Sequence, residues 1–349
     1  MDDDERQFLD DLLAAATPSG YEAPGQRVWV DRVEPVADEV RTDDYGNAVA
    51  VSEGSGPAVA VAGHADQIGL LVREIDDEGH LHVGPVGSVD RTVTRGQQVT
   101  VHAADGPVPG VVGRTAIHVR EEIDDDASVA DQHVDVGAAD GEAARELVSV
   151  GDPVTVDGAV TDLQGSRVAG PGMDNRVGMW VAAEAFRRAA DADATVYAVS
   201  TVQEEIGRKG AGMVGFDLDP DAVVAADVTH ALDYPAAPGE KGSDVALGEG
   251  PVVTRGSTNH PVLADALRSV AAEDGVDAQV QAAPTHTLTD ADTFATSRSG
   301  VPAVYLGLPN RYMHTPVEVV DTDDLTAAAD LFVAFARSAD QYTPFAVDI

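Results

Sequence analysis

A chain of 349 residues has length for about two domains, and its 61 acidic against 22 basic side chains leave a formal net charge of −39. Such a surface repels nucleic acid and anionic membranes, which excludes both as partners. With 44% hydrophobic residues, and acids spread in pairs and triplets along the whole chain, the charge reads as a solvated folded surface and not as a disordered tail.

The N-terminus, Met1-Asp2-Asp3-Asp4-Glu5, has neither the basic segment nor the apolar run of a signal peptide. A helix is predicted from Glu5 to about Ala15, a turn at Pro18-Ser19-Gly20, and a second helix from Gln26 to Val33. After a turn at Asp43 to Asn47, Ala48 to Val51 and Ala58 to Ala62 read as short buried strands, the second running into Gly63-His64-Ala65-Asp66. From Leu71 to Gln164 the texture changes to short alternating runs such as Val99 to His102 and Ile117 to Arg120, divided by Gly and acidic turns. That pattern predicts an inserted all-β unit over residues 71–164.

Past Gly170-Pro171-Gly172, helices are predicted at Arg176 to Ala190, Pro261 to Asp274 and Asp323 to Ala339. Strands alternate with them at Thr195 to Val202, Ala222 to Ala226, Ala278 to Ala282 and Ala303 to Leu306. In the last helix Leu325, Ala328, Phe332, Phe335 and Ala339 share one face, which is plain core packing behind a Thr322-Asp323-Asp324 start. The expected fold class is α/β: a mostly parallel sheet with helices on both faces, built from residues 1–70 and 165–349. No apolar stretch approaches the roughly 20 residues of a membrane span, so a soluble, intracellular protein is expected. The absence of cysteine removes disulfide and thiol chemistry.

Only two cations are lysines, Lys209 and Lys241. Self-repulsion at this charge weakens the compact state in dilute buffer, whereas about 1 M salt cuts the screening length to roughly 3 Å. A salt-rich cytoplasm is the expected setting.

Four strand-like runs lead to a potential metal ligand: His64, the pair Glu204-Glu205, Asp227 and His314. In open α/β sheets ligands gather outside the carboxyl ends of strands. Asp174, between the Gly170-Pro171-Gly172 turn and a helix, is a fifth candidate. Two histidines and three carboxylates suit a pair of divalent ions if one carboxylate bridges them. Asp66, two residues past His64, either accepts the second imidazole N–H and fixes its tautomer or is a turn residue. Glu204 and Glu205 at a strand end face opposite ways, so one can reach the metal and the other a reacting water. Of the remaining histidines, His80, His82, His102, His118, His133, His230, His260 and His286 read as structural or surface residues, with His286 and Asp290 as possible lining of a pocket.

In chain order stand Gly63-His64-Ala65-Asp66-Gln67-Ile68-Gly69, Met173-Asp174-Asn175-Arg176-Val177-Gly178, Gln203-Glu204-Glu205-Ile206-Gly207, Asp227-Val228-Thr229 and Arg311-Tyr312-Met313-His314-Thr315-Pro316. This set resembles metallopeptidase family 42, the tetrahedral, glutamyl aminopeptidase-like enzymes, over almost the whole chain. The resemblance implies that Asp174 bridges two metals, that His64 and Asp227 complete one site, and that Glu205 and His314 complete the other. It also implies Glu204 as general base, assisted by Asp66, and two divalent ions per subunit, Zn or Co with Mn as a third choice. Peptides would be the substrates. The inserted unit would be a dimerisation domain, and dimers would build a tetrahedral dodecamer. Gln67 stands where the family usually has Glu, Asn175 where it has a second Asp, Thr315 where it has Ser, and Arg208-Lys209 where an apolar residue and Arg are frequent. A deacylase of the same metal clan would use the same five ligands, and a scaffold that holds metals for structure would have no use for Glu204. A cellulase lacks an aromatic platform here, with 5% aromatic residues.

Overall fold

The computed structural model describes residues 1–119, 128–235, 237 and 244–349. Its first helix, Asp3–Ala14, starts two residues before the expected Glu5 because Asp2 and Glu5 form a reciprocal capping box. Its buried face is Phe8, Leu9 and Leu12. The second helix, Ala23–Val33, begins earlier than Gln26 with Pro24 in its first turn, where a missing N–H costs nothing.

Four parallel strands form the middle of a mixed sheet, in the order Thr195–Thr201, Ala58–His64, Ala222–His230 and Ala303–Arg311. Antiparallel strands extend both sides: Ala48–Ser52 and Glu39–Thr42 on one, Glu318–Asp321, Arg167–Gly170 and Thr161–Asp162 on the other. Val252–Gly256 and Gln279–Ala283 branch from the Ala303–Arg311 strand. Near-continuous burial of the central strands, Val59 to His64 and Ala222 to Thr229, follows from helices on both faces.

One face carries the larger core, with Trp29, Trp180, Phe186, Leu267, Phe332 and Phe335. The other is covered by Lys209–Asp217 and Asp290–Phe294 through Ala211, Val214, Leu218 and Phe294. The helix Met173–Arg188 lies directly on the strand Ala58–His64, and glycine makes this possible. A Cβ at Gly63 would sit 2.3 Å from the Gly178 carbonyl carbon. That close approach brings the start of the helix beside the end of the strand.

The inserted region is a closed barrel of Gly69–Ile75, His80–Val86, His133–Asp135, Gly106–Val112, Gln98–Ala103 and Pro153–Val156, filled by Leu70, Val72, Leu81, Val83, Val101 and Val154. Closure leaves no open sheet edge. Two details differ from expectation. Ile117–Val119 is one exposed 3-10 turn and not a strand, having no partner strand among the described residues, and Arg120 lies outside them. The unit also contains a helix, Gly141–Leu147, whose N-cap Asp140 accepts the Ala143 N–H at 2.9 Å. No helix among the described residues is long and apolar enough to cross a membrane.

Candidate active site

His64 ends its strand, 2% exposed, with Nδ1 3.1 Å from the Asp66 carbonyl oxygen and 3.3 Å from Asp66 Oδ1. An Nδ1–H donated there leaves the Nε2 lone pair free to face the sheet's carboxyl end. Asp174 opens the Met173–Arg188 segment, but it and Asn175 have non-helical backbone angles, so the regular helix begins after them. Asn175 caps that helix: its Oδ1 accepts the Gly178 N–H at 2.9 Å while its Nδ2 donates to the Ala226 carbonyl at 2.9 Å. An amide accepts and donates at once where an ionised aspartate only accepts, which is a physical reason for Asn in place of Asp at this position.

Glu204 and Glu205 are not at the end of a strand. Their strand stops at Thr201, and they lie in the turn that follows, after Gln203 with φ +57°. The turn wraps around Asp66, whose Oδ1 accepts the Glu204 N–H at 2.8 Å and whose Oδ2 accepts the Glu205 N–H at 3.0 Å and the Ser19 hydroxyl at 2.6 Å. Asp66 is fully buried behind His64 and is not among the residues lining the cavity. Asp227 lies inside a strand longer than expected, Ala222–His230. His314 follows its strand in a loop with φ +62°, donating N–H to Glu318 Oε1 at 2.8 Å and paired through Nδ1 with the Ser88 carbonyl at 3.0 Å.

These side chains converge. His64 Nε2 is 3.3 Å from Asp174 Oδ1 and 3.5 Å from Asp227 Oδ1, and His314 Nε2 is 3.1 Å from Asp174 Oδ2 and 3.5 Å from Glu205 Oε1. Asp174 therefore turns one oxygen to each of two clusters, His64–Asp174–Asp227 and Asp174–Glu205–His314, either of which could hold a metal ion. Ligands bound about 2.0–2.1 Å from a tetrahedral ion lie roughly 3.3 Å apart. Glu205 Oε1 is buried without a hydrogen-bond partner, as a lone pair reserved for a cation would be. Glu204 Oε2 stands 4.0 Å from His64 Nε2.

Electrostatics agree with a cation-seeking site. Burial alone would lower the histidines, but Asp227 and Asp174 hold His64 well above its usual range, and Asp174 and Glu205 hold His314 up to about 11. Burial and neighbouring carboxylates raise Glu204 to about 10 and Glu205 to about 6. Burial also raises Glu318 to about 8, with Asp174 adding to it, and Asp290 to about 7. Asp174 goes the other way: burial would raise it, yet the two histidines depress it.

The cluster opens on a cavity of about 540 Å³ whose further wall includes Arg208, Thr254, Gln281, Thr287 and Tyr305. His286 lines this cavity, as does His230, which the sequence left among structural residues; Asp290 is instead buried, accepting the Thr201 hydroxyl at 2.6 Å. On the barrel, His80 and His82 share Asp76, and His102 meets Thr155. Sequence reasoning missed Glu318, Arg176 and Ser19. Arg176 is fully buried, donates to the Ala15 carbonyl and to Gln67 Oε1, and faces the charges of Asp66, Glu318, Asp174 and Glu22. The one available signal was an arginine two residues from a ligand in a buried stretch.

Fold and site define the class: an α/β enzyme whose crevice at the carboxyl ends of parallel strands gathers histidines and carboxylates. Residues 46–331 match the family described as M42 glutamyl aminopeptidase. The lysyl aminopeptidase of Pyrococcus furiosus is 37% identical over 325 residues, 91% of this chain and 93% of the relative. Among solved structures, a TET aminopeptidase from a marine-sediment Thaumarchaeota archaeon superposes with TM-score 0.93 at 29% identity, over 99% of this chain and 100% of that one. The Pyrococcus horikoshii TET1 peptidase, described as able to assemble into a tetrahedron or a large octahedral shell, gives TM-score 0.85 at 29% identity over 95% and 99%. The chain belongs to the M42 aminopeptidase family and is a peptide hydrolase. Peptidases of this family depend on metal.

Proposed function

We propose that the protein is a dinuclear aminopeptidase that removes N-terminal residues from peptides, with His64, Asp174 and Asp227 holding one divalent ion and Asp174, Glu205 and His314 the other. The observation that carries this reading is Asp174, whose two oxygens face the two histidines 3.3 and 3.1 Å away. Zn or Co suits the mixed nitrogen and oxygen ligands, and Mn shares them. Such ions, when bound, acidify a water and polarise the scissile carbonyl.

Glu204 is the general base in this reading. It lines the cavity, is free of the two ligand clusters, and has its backbone fixed by Asp66. Its carboxylate takes a proton from the attacking water and returns it to the leaving amine. The elevated proton affinity of Glu204 suits a group that must hold a proton between those steps, and cations in the neighbouring clusters would bring it down toward neutrality. Asp66 acts through His64 and the Glu204-Glu205 turn without touching substrate.

Residues 1–68 and 157–349 would form the catalytic unit, two to eight residues from the expected bounds because Gly69–Ile75 pairs in the barrel and Thr161–Asp162 in the large sheet; the barrel would be an inserted dimerisation domain, and dimers would assemble into a dodecameric shell. Structural neighbours described as a dodecamer and as a tetrahedron or large octahedral shell support an assembly of that kind. The acidic surface, with net charge −39, supports work in a salt-rich cytoplasm.

The test is hydrolysis of unblocked and N-acylated peptides in multimolar KCl with Zn, Co or Mn, comparing the parent with Glu204→Gln. Release of N-terminal residues only from unblocked peptides, reduced by at least about 10²-fold in the variant while metal stays bound, is the expected result. Cleavage of acylated substrates alone would replace this reading with a deacylase. Metal binding without turnover would leave a scaffold.

A further inference from the structure

Each ligand cluster is braced from behind by a buried carboxylate, and the two braces serve different residues. Asp66 holds His64 through the imidazole and holds Glu204 and Glu205 through their backbone N–H groups. On the opposite side Glu318, 2% exposed, accepts the Asp174 N–H on Oε2 at 3.1 Å and the His314 N–H on Oε1 at 2.8 Å. The strand pairing explains how one side chain reaches both. Glu318 begins the strand Glu318–Asp321 and lies opposite Gly170, at the mouth of the turn that leads to Asp174. The loop from His314 returns to the same point.

His314 needs such a brace more than the other ligands. Its φ of +62° is in the left-handed region, which strains a non-glycine residue and persists only where surroundings hold it. Its ring is fixed at Nδ1 by Ser88, but its backbone is fixed by Glu318. Arg176, fully buried, is attracted to Asp66 and Glu318 alike.

We infer that Glu318 is a positioning residue for the ion held by Asp174, Glu205 and His314, setting that site's affinity while leaving the His64–Asp174–Asp227 site near its parent value. The inference rests on the dinuclear reading above. A neutral amide of the same shape has one acceptor oxygen and an NH₂ group, so Glu318→Gln keeps one of the two N–H bonds and sets a donor against the other. The His314 backbone, strained at φ +62°, relaxes when its N–H loses the carboxylate, whereas Asp174 is held besides by its place at the start of the Met173–Arg188 segment. Either loss moves a ligand of the second cluster, and only the Asp174 N–H touches a residue shared with the first.

The experiment is calorimetric titration of chelator-stripped protein with Co(II) in multimolar KCl, on the parent, Glu318→Gln and Glu318→Asp. Thermal unfolding of the metal-free forms and the Co(II) visible spectrum accompany it. The parent should bind two ions. Glu318→Gln should bind the first within about threefold of the parent and the second roughly 10–100-fold more weakly. Glu318→Asp, which keeps the charge and two acceptor oxygens on a shorter stem, should recover part of the second affinity. Equal weakening of both ions together with a lowered unfolding temperature would overturn the inference in favour of a purely structural role, as would failure of both variants to fold. Two ions bound as in the parent would overturn it as well. Fewer than two ions in the parent would instead overturn the dinuclear reading, which separates the two failures.

Discussion

Replacing Asp66 by Asn tests whether the buried carboxylate behind His64 organises the active site. The native oxygens accept from Glu204 N–H, Glu205 N–H and the Ser19 hydroxyl at 2.8, 3.0 and 2.6 Å. Asn has one acceptor oxygen. Its best orientation keeps that oxygen on Glu204 N–H and lets its NH₂ group donate to Ser19, whose hydroxyl can turn to accept. Glu205 N–H then faces a donor, and one orphaned buried N–H costs about 1–3 kcal/mol. Because the Glu205 side chain belongs to the second ligand cluster, the cost should appear in function as well as stability. Carboxylates behind metal-bound histidines typically contribute 10–100-fold in affinity or activity. The expected result is therefore a kcat/KM reduced by one to two orders of magnitude with the fold retained, measured on an unblocked peptide alongside denaturant unfolding. A variant within about twofold of the parent in kcat/KM, with unchanged unfolding, would refute the reasoning.

Two further outcomes follow from the packing and the charges. Gly63→Ala should destabilise by about 1–3 kcal/mol or more, because its Cβ would meet Gly178 and Met179 backbone atoms at 2.3–2.7 Å that cannot swing aside; denaturant midpoints of parent and variant check this, and activity should fall further as Asp174 is pushed from His64. In the metal-free protein, His314 held near 11 adds stability that is lost as pH rises above the unfolded histidine value. The raised carboxyls of Glu205, Asp290 and Glu318, near 6, 7 and 8, also favour the folded state only while protonated. All have the same sign, so the unfolding temperature in chelator should fall steadily between about pH 5 and 9, and divalent ions should flatten the curve. A chelated protein that gains stability over that range would contradict the assigned charges.

How much of this was legible in the chain depended on what each residue contributes. Strand cores such as Ala58 to Ala62 and helices such as Pro261–Asp274 announce themselves by apolar runs and spacing, because burial is a property of side chains. His64, Asp174, Glu205, Asp227 and His314 stand out as candidates by following buried runs or a glycine turn, but with 61 acidic residues each carboxylate alone is a weak signal. The family resemblance is what groups the five and parts Glu205 from Glu204. The edges were less legible. Ile117–Val119 alternates like a strand but has no partner strand among the described residues, and pairing is decided elsewhere in the chain. Glu204 and Glu205 were placed on a strand because the apolar run reaches Val202, whereas the chain turns at Gln203 in answer to the Asp66 carboxylate. Glu318 left no signal at all. What it binds is the backbone N–H of Asp174 and His314, which every residue but proline offers, so no choice of side chain at those positions records the contact.

Charge accounting shows why the braces and the ligands belong to one device. Glu22, Asp66, Asp174, Glu204, Asp227, Asp290 and Glu318 are all buried around this crevice, and Glu205 adds a further carboxylate with a buried oxygen. Among the described residues the buried opposite charge here is that of Arg176 and whatever His64 carries, with the half-buried His314 beside them. So many carboxylates cannot all stay ionised beside one guanidinium, since an uncompensated buried charge costs several kcal/mol. Either protons or cations must make up the difference. Protons do so by raising the acids toward neutrality, which would leave Glu204 unable to act as a base at neutral pH. In the proposed dinuclear reading two divalent ions would do so with the acids ionised, with Asp174 turning one oxygen to each cluster. On that reading the buried negative charge at the carboxyl end of the sheet is the same quantity that would draw the cations in.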